Sequence, residues 1–570
     1  MSRRFGTAIV GAVVVILIVL IVTLLARQSV QKDFDKTSKD QSWDVVMSKN
    51  INQKTIKLKV DNRWITPTDG NIFMSEKMEL MIPISVISDA FNCASNFYDN
   101  TKLVIQKGET EMTMNLNEAI VDVNGTEYKT KEPLTKKKGV VYITASVFSK
   151  HLGYKYKFDG ETNTAIMSDT AKTSALPDSY SYIEAEKKPT VKNQGNRGTC
   201  WAFATMTALE STLLPEEHYN FSVNHLVNYY KDISHIESGG VYEMSMAYLM
   251  GWKGPVLDKD DPYTGNKSPK NLKPVKHVQG AKILEKQDRE TIKELVFKYG
   301  GVESSMYMDM DAINNESPYY RPSTYGYCYT GKSKPNHDVV VIGWDDHYPK
   351  ENFQSSSVKK DGAYLCQNSW GDAFGNKGTF YVSYEDKRLG EVCVCYTDIE
   401  NTDNYDNLYQ CDQFGWTGTM GFDSSDTVYY SNIYKANGNE NLKSVGLYAV
   451  AKNLDYEVFI CDDYKNVQNL SERSHVASKG TFDEKGYYTL KLDKDYNLKK
   501  NSKFAIIVKI TKEKREQTDK LIPVELQAKD MKVKVDLSDG EGYISSDGFT
   551  WNSAEKLKCN LCVKAYTDRK

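Results

Sequence analysis

Between Thr7 and Ala26 the chain carries no charged side chain and consists mostly of Val, Ile and Leu. About 20 such residues cross a bilayer as a helix, so the run predicts a transmembrane helix within 1–27. The pattern then turns polar and mixed in charge over 28–54, the composition of a stalk or linker. From 55 to 170 a unit repeats: MIPISVISDAFN (Met81–Asn92) returns 61 positions on (142 − 81) as YITASVFSKHLG (Tyr142–Gly153). Each copy reads as a strand entering a short helix and is followed by further strands, which predicts a small α/β repeat domain. Over 171–398 helical and strand patterns mix. Cys200 to about Leu214 is apolar on nearly every side, the mark of a buried helix, while His337 leads into the strand-like VVVI and Asn368 ends another strand. Over 399–570 short aromatic and β-branched runs alternate with Gly, Asp and Asn turns, which predicts an antiparallel all-β sandwich. The fold class expected is multidomain α+β, and the last domain reads as separable from the one before it.

Composition adds bounds. A chain of 570 residues is too long for one core. Its 73 basic and 76 acidic groups leave a net charge of −3, which gives no reason to expect nucleic acid as a partner. Arg3 and Arg4 precede the apolar run, so the short N-terminus is expected inside and the bulk outside the cell. The run ends TLLARQS, a poor cleavage site, so an uncleaved single-pass anchor is expected, with cleaved secretion or cell-wall association as the alternative. The ten cysteines are scattered and form no dense framework, so most of the nine other than Cys200 read as buried free thiols. Cys559 and Cys562 have C-x-x-C spacing but no second pair or histidine cluster nearby to complete a zinc site.

The tenth, Cys200, stands apart. It lies where the glycine-broken loop NQGNRGT turns into the buried helix. Unpaired N–H groups and the helix dipole at that position favour a thiolate. A cysteine that attacks a carbonyl also needs a base, a group to orient the base, and donors for the developing oxyanion. His337, at the mouth of a strand, supplies the base. Asn368 can accept from the imidazole and fix its tautomer. Gln194, six residues before Cys200, can aim an N–H at the point served by the Cys200 backbone N–H, each donor contributing roughly 3 kcal/mol in the transition state. The 137 residues from Cys200 to His337 (337 − 200) fall in the ~130–150 window of one such arrangement.

The segments LPDSYSY, VKNQGNRGTCWAFA, FSVNHLVNYY, SGGVYEMSMAYLMGWKGPV, DDPYTG, NHDVVVIGWDD and CQNSWGDAFGNKGTFYVSY together resemble the papain-like (C1) cysteine peptidases. The resemblance implies a two-lobed α+β domain with Cys200 as nucleophile, His337 as general acid/base, Asn368 as orienting residue and Gln194 as oxyanion donor. It also implies that Gly239 and Gly240 present backbone to an extended substrate strand, and that Trp201 and Trp370 shield the His337–Asn368 contact. No metal and no cofactor are implied. Residues 55–170 resemble the copper amine oxidase N-terminal-like domain, read here as a spacer or wall-interaction module. They carry His151 as their one histidine and no copper ligand set. The segments NLYQCDQFGWTG and GYISSDGFTWNSAEKLKCNLCVKAYT resemble the lectin-like domain that follows papain-like peptidases on Gram-positive cell surfaces. Its acidic turns could hold a glycan or a structural calcium ion, solvated loop tips being the plainer reading.

Three departures from the papain-like pattern stand out. Arg197 occupies the place of a second cysteine. Asp338 follows His337 where a small residue is common, and strand alternation would point it to the opposite face. The 31 residues from His337 to Asn368 (368 − 337) include a polar insertion, which reads as a surface loop pinned by Phe353. The function expected is a cell-surface cysteine endopeptidase acting on protein or peptide substrates. The alternative is a catalytically silent adhesin or wall scaffold that uses the same fold for binding.

Overall fold

The computed structural model describes residues 56–570 apart from 62, 68, 92, 160–162, 170–175, 232–238, 424, 513–518, 528–533 and 539. The apolar run 7–26 and the segment 28–54 lie outside the described residues, among which no helix is long and apolar enough to cross a membrane.

The two copies of the N-terminal repeat face each other. Strand Leu80–Pro83 leads to helix Ile87–Phe91, and strand Val140–Thr144 leads to helix Ser146–His151. The strands pair antiparallel with Ile82 opposite Ile143, and Phe91 stacks on Phe148 with 4.0 Å between ring centroids. Each short unit therefore buries the apolar face of the other, which neither could do alone. The strand pair after each copy is a hairpin, Ala94–Tyr98 with Lys102–Lys107 and Tyr154–Asp159 with Thr164–Asp169.

The central domain is built around the helix Cys200–Leu213, in which every residue but Thr212 is buried. Helices Val223–Lys231 and Tyr242–Met250 pack on one side of it. A sheet packs on the other. There the strand His337–Asp345 lies between Val302–Met306 and Ala363–Gln367, and Thr379–Ser383 follows outside. Helices on one side and sheet on the other make two lobes, with Cys200 on one and His337 on the other. The polar insertion before Ala363 is anchored as its composition suggested: Phe353 is buried among Cys328, Tyr348 and Val358.

The C-terminal domain is a sandwich. Val445 and Leu447 on one sheet share a core with Ile506 and Val508 on the other. It is not separate from the central domain. Strand Val392–Glu400 runs across the expected boundary at 398/399, still paired at Glu400 with His277. The other edge of His277–Glu285 pairs with Lys485–Leu498 of the sandwich, so one 13-stranded sheet crosses both domains. Tyr448, Tyr487 and Cys562 sit in the core of the central domain. Periodicity along a strand reports its two faces and says nothing of what its edge will pair with, which is why the pattern suggested a clean break.

Candidate active site

The loop before Cys200 is held without a disulfide. All ten cysteines are free thiols. Arg197 donates to the Thr264 carbonyl oxygen at 3.0 Å and lies over the Tyr263 ring at 5.2 Å. The Tyr263 hydroxyl is 2.7 Å from Thr199 Oγ1 and donates to the Gln194 carbonyl at 3.2 Å. The segment DDPYTG thus clamps the Cys200 loop through a tyrosine and an arginine.

Gln194 is buried and doubly held. Its Nε2 donates to the Arg197 carbonyl at 2.8 Å, and its Oε1 accepts from Ser369 Oγ at 2.6 Å. A primary amide carries two N–H bonds, so one is left after the bond to Arg197. Ser369 was not singled out from the sequence. It follows Asn368, and it makes the orientation of Gln194 depend on the same segment.

His337 Nε2 lies 2.8 Å from Asn368 Oδ1, which also accepts from the Ser369 backbone N–H at 2.8 Å. With Nε2–H committed to Asn368, Nδ1 is the ring nitrogen free to exchange a proton. Trp370 covers this pair, its ring 5.0 Å from that of His337. Trp201 does not share that task. Its indole lies under Gly240, where a Cβ would come within 2.3 Å of the ring. Trp201 is buried in the core, so it supports the glycine wall of the groove instead. Gly239 has a φ of +123°, open to glycine and strained for other residues. His347 stands apart in the insertion, exposed and 3.9 Å from Asp178.

A cavity of about 660 Å³ opens beside Cys200, bounded by Gly239, Gly240, Met244, His337 and Asp338 among others. Asp338 lies inside it, its Oδ2 4.0 Å from the Cys200 sulfur, and not on the opposite face. His337 is the first residue of its strand, so its side chain leaves from the strand mouth and the alternation that separates neighbours further along does not separate these two.

Electrostatics differ from the simple helix-start expectation. Burial first, and the Asp338 charge second, push the Cys200 thiol up to about 12. Burial lowers His337 to about 4 against the opposing hydrogen bond to Asn368, and burial raises Asp338 to about 7. Burial thus works against the charged form of both Cys200 and His337.

With this geometry in hand, comparison with known proteins defines the class. Residues 176–401 match the family described as papain family cysteine protease, 408–567 the lectin like domain, and 59–167 the copper amine oxidase N-terminal domain. The chain thus carries a papain-family cysteine peptidase domain between an N-terminal domain of the copper amine oxidase type and a lectin-like domain. Among solved structures it is similar to the clostridial cysteine protease Cwp84 after propeptide cleavage, at 26% identity and a TM-score of 0.60, covering 69% of this chain and 99% of that one. It is also similar to the cysteine protease and lectin-like domains of Cwp84, a surface layer associated protein of Clostridium difficile, at 25% identity and a TM-score of 0.59, covering 69% of this chain and 89% of that one. A viral cathepsin of Cydia pomonella granulosis virus is 24% identical over 306 residues, which is 52% of this chain and 80% of that protein. Cathepsin L 1 of Paramecium tetraurelia is 29% identical over 225 residues, 37% of this chain and 63% of that protein.

Proposed function

We propose that the protein is a cell-surface cysteine endopeptidase in which Cys200 is the nucleophile. The observation that carries this reading is the buried His337–Asn368 hydrogen bond under Trp370, on a cavity that also exposes Cys200. Cys200 Sγ attacks the substrate carbonyl as its proton passes to His337 Nδ1. Asn368 steadies the imidazolium through Nε2–H. The Cys200 backbone N–H and the free N–H of Gln194 receive the oxyanion. The imidazolium then protonates the leaving amine, and water, deprotonated by the same ring, releases the acyl group. Gly239 and Gly240 form the wall along which a substrate backbone lies.

Surface location is supported by the likeness to Cwp84 and by the apolar run Thr7–Ala26, which would anchor the chain as a single-pass protein. The lectin-like domain supports a role in holding the enzyme near wall glycan. The test is incubation with an unstructured protein followed by mapping of the cut ends. Wild type should cleave and Cys200→Ala should not, with an unchanged melt. Equal cleavage by Cys200→Ala overturns the assignment.

A further inference from the structure

We propose that the cavity beside Cys200 takes a lysine or arginine side chain of the substrate, with its cation held between Glu303 and Asp338. The proposal rests on the peptidase reading and names the substrate class of that site.

Its basis is the sheet that floors the cavity. Ser305 is paired with Asp338, and Glu303 with Val340 on one side and Val394 on the other. Side chains alternate along a strand, so Glu303 and Ser305 share a face, and cross-strand partners share it too. Glu303, Ser305, Asp338, Val392 and Val394 all line the cavity. Glu303 is the deeper carboxylate, 4% exposed. One of its oxygens accepts from Thr205 Oγ1 at 3.0 Å and from the Tyr396 hydroxyl at 3.4 Å. The other has no hydrogen-bond or ion-pair partner among the described residues. Asp338 stands nearer the mouth, 4.0 Å from the Cys200 sulfur, and it too has no ion-pair partner among the described residues.

No lysine or arginine is among the residues that line the cavity. Glu391, also at its edge, is already matched by Arg388, and Glu243, on the same lining, is bonded to the Tyr242 side chain and eased by the Lys485 charge. Glu303 and Asp338 remain as two carboxylates in a shared, poorly solvated space. Burial raises both, and the Asp338 charge raises Glu303 further. Such a pair is costly to ionise alone and is relieved by a cation. Met244, Val392 and Val394 supply apolar wall ahead of the carboxylates. An apolar stem that ends in a cation meets both surfaces, as lysine and arginine stems do elsewhere. A leucine or phenylalanine would fill the same volume and leave the carboxylates buried without a partner. A metal ion is the poorer occupant: among the described residues no group of three His, Cys, Asp or Glu side chains could hold one.

The test uses the full chain on an unstructured protein and on matched peptide pairs that differ by Lys or Arg against Leu. Mapped cuts should show basic residues enriched at one fixed position relative to the scissile bond, with kcat/KM at least 10-fold higher for the basic member of each pair. Glu303→Gln and Asp338→Asn should each lower that ratio, and the double variant should bring it near one. Alkylation of Cys200 reports that each variant keeps its site, and Asp338→Asn alone carries the test if Glu303→Gln does not fold. Cleavage with no basic enrichment, or a ratio unchanged by both variants, overturns the proposal and leaves the peptidase reading standing. Failure of wild type to cleave any peptide overturns both.

Discussion

Asp338 shapes the chemistry of Cys200 more directly than any other charged side chain in the site. Its carboxylate faces the sulfur at 4.0 Å, and its charge is the second cause, after burial, of the raised thiol. A negative charge beside sulfur disfavours the thiolate, so removing it should lower the thiol value. Alkylation of Cys200 in Asp338→Asn is expected to reach half its maximal rate about one pH unit below wild type. An unshifted profile would show that the carboxylate does not act on the sulfur. At this scale the sequence was informative for residues whose type and spacing are both demanding: His337 and Asn368 meet in a hydrogen bond, His337 and Cys200 border one cavity, and Gln194 is tied to Ser369 next to Asn368. It was not informative for Asp338 and Glu303. Asp338 shares a face with Ser305 as strand alternation requires, but His337, at the strand mouth, reaches the same cavity, so alternation did not separate the two; Glu303 gave one faint signal, a lone carboxylate in the otherwise uncharged run GGVESSM.

At the scale of elements, the groove wall depends on one close approach. Gly240 lies flat on the Trp201 indole, which is fixed in the core by the helix it belongs to. Gly240→Ala places a methyl group 2.3 Å from that ring. The helix cannot retreat, so the Gly239–Gly240 segment must, at a cost of roughly 1–3 kcal/mol. The expected outcome is a lower melting temperature together with a kcat/KM reduced 10-fold or more. Full activity in this variant would mean that the Gly239–Gly240 segment does not position substrate. The buried nucleophile helix and its span, Cys200–Leu213, could be read from unbroken apolar residues. The antiparallel meeting of the two repeat units could not, because two similar strands give no signal of whether they pair with each other.

At the scale of the whole molecule, the peptidase and lectin-like domains are one folding unit in cross-section. Beyond the shared sheet, Lys282 pairs with Asp483 at 2.6 Å and Lys485 with Glu285 at 2.5 Å. Such partly exposed pairs contribute little. The larger part is apolar: Tyr448 and Tyr487, both fully buried, add about 2 kcal/mol each to the central core. A fragment spanning 176–401 would leave the edge of His277–Glu285 unpaired and these core positions empty. It is expected to lack a cooperative melt, whereas 176–570 should show one. A stable, active 176–401 would show that the lectin-like domain is dispensable to the fold. The N-terminal domain is placed differently. Its strand Arg63–Ile65 lies against Ser478–Phe482 of the sandwich, and Asn96 accepts from Lys187 at 2.7 Å. None of the described residues 56–169 lines the cavity at Cys200.

The central claim is that Cys200 and His337 form the working pair, and thiol labelling tests it most directly. Nine of the ten cysteines are buried, Cys461 being the exception, and Cys200 alone among the nine borders the open cavity. Full-length protein would be treated with an alkylating reagent, with loss of peptide cleavage followed beside the mass of each cysteine-containing fragment, in wild type, His337→Ala and His347→Ala. Activity is predicted to fall in step with modification of Cys200, whatever happens at Cys461, with labelling slowed at least 10-fold in His337→Ala and unchanged in His347→Ala. Loss of activity with Cys200 unmodified, or slowed labelling in His347→Ala in place of His337→Ala, would contradict the account.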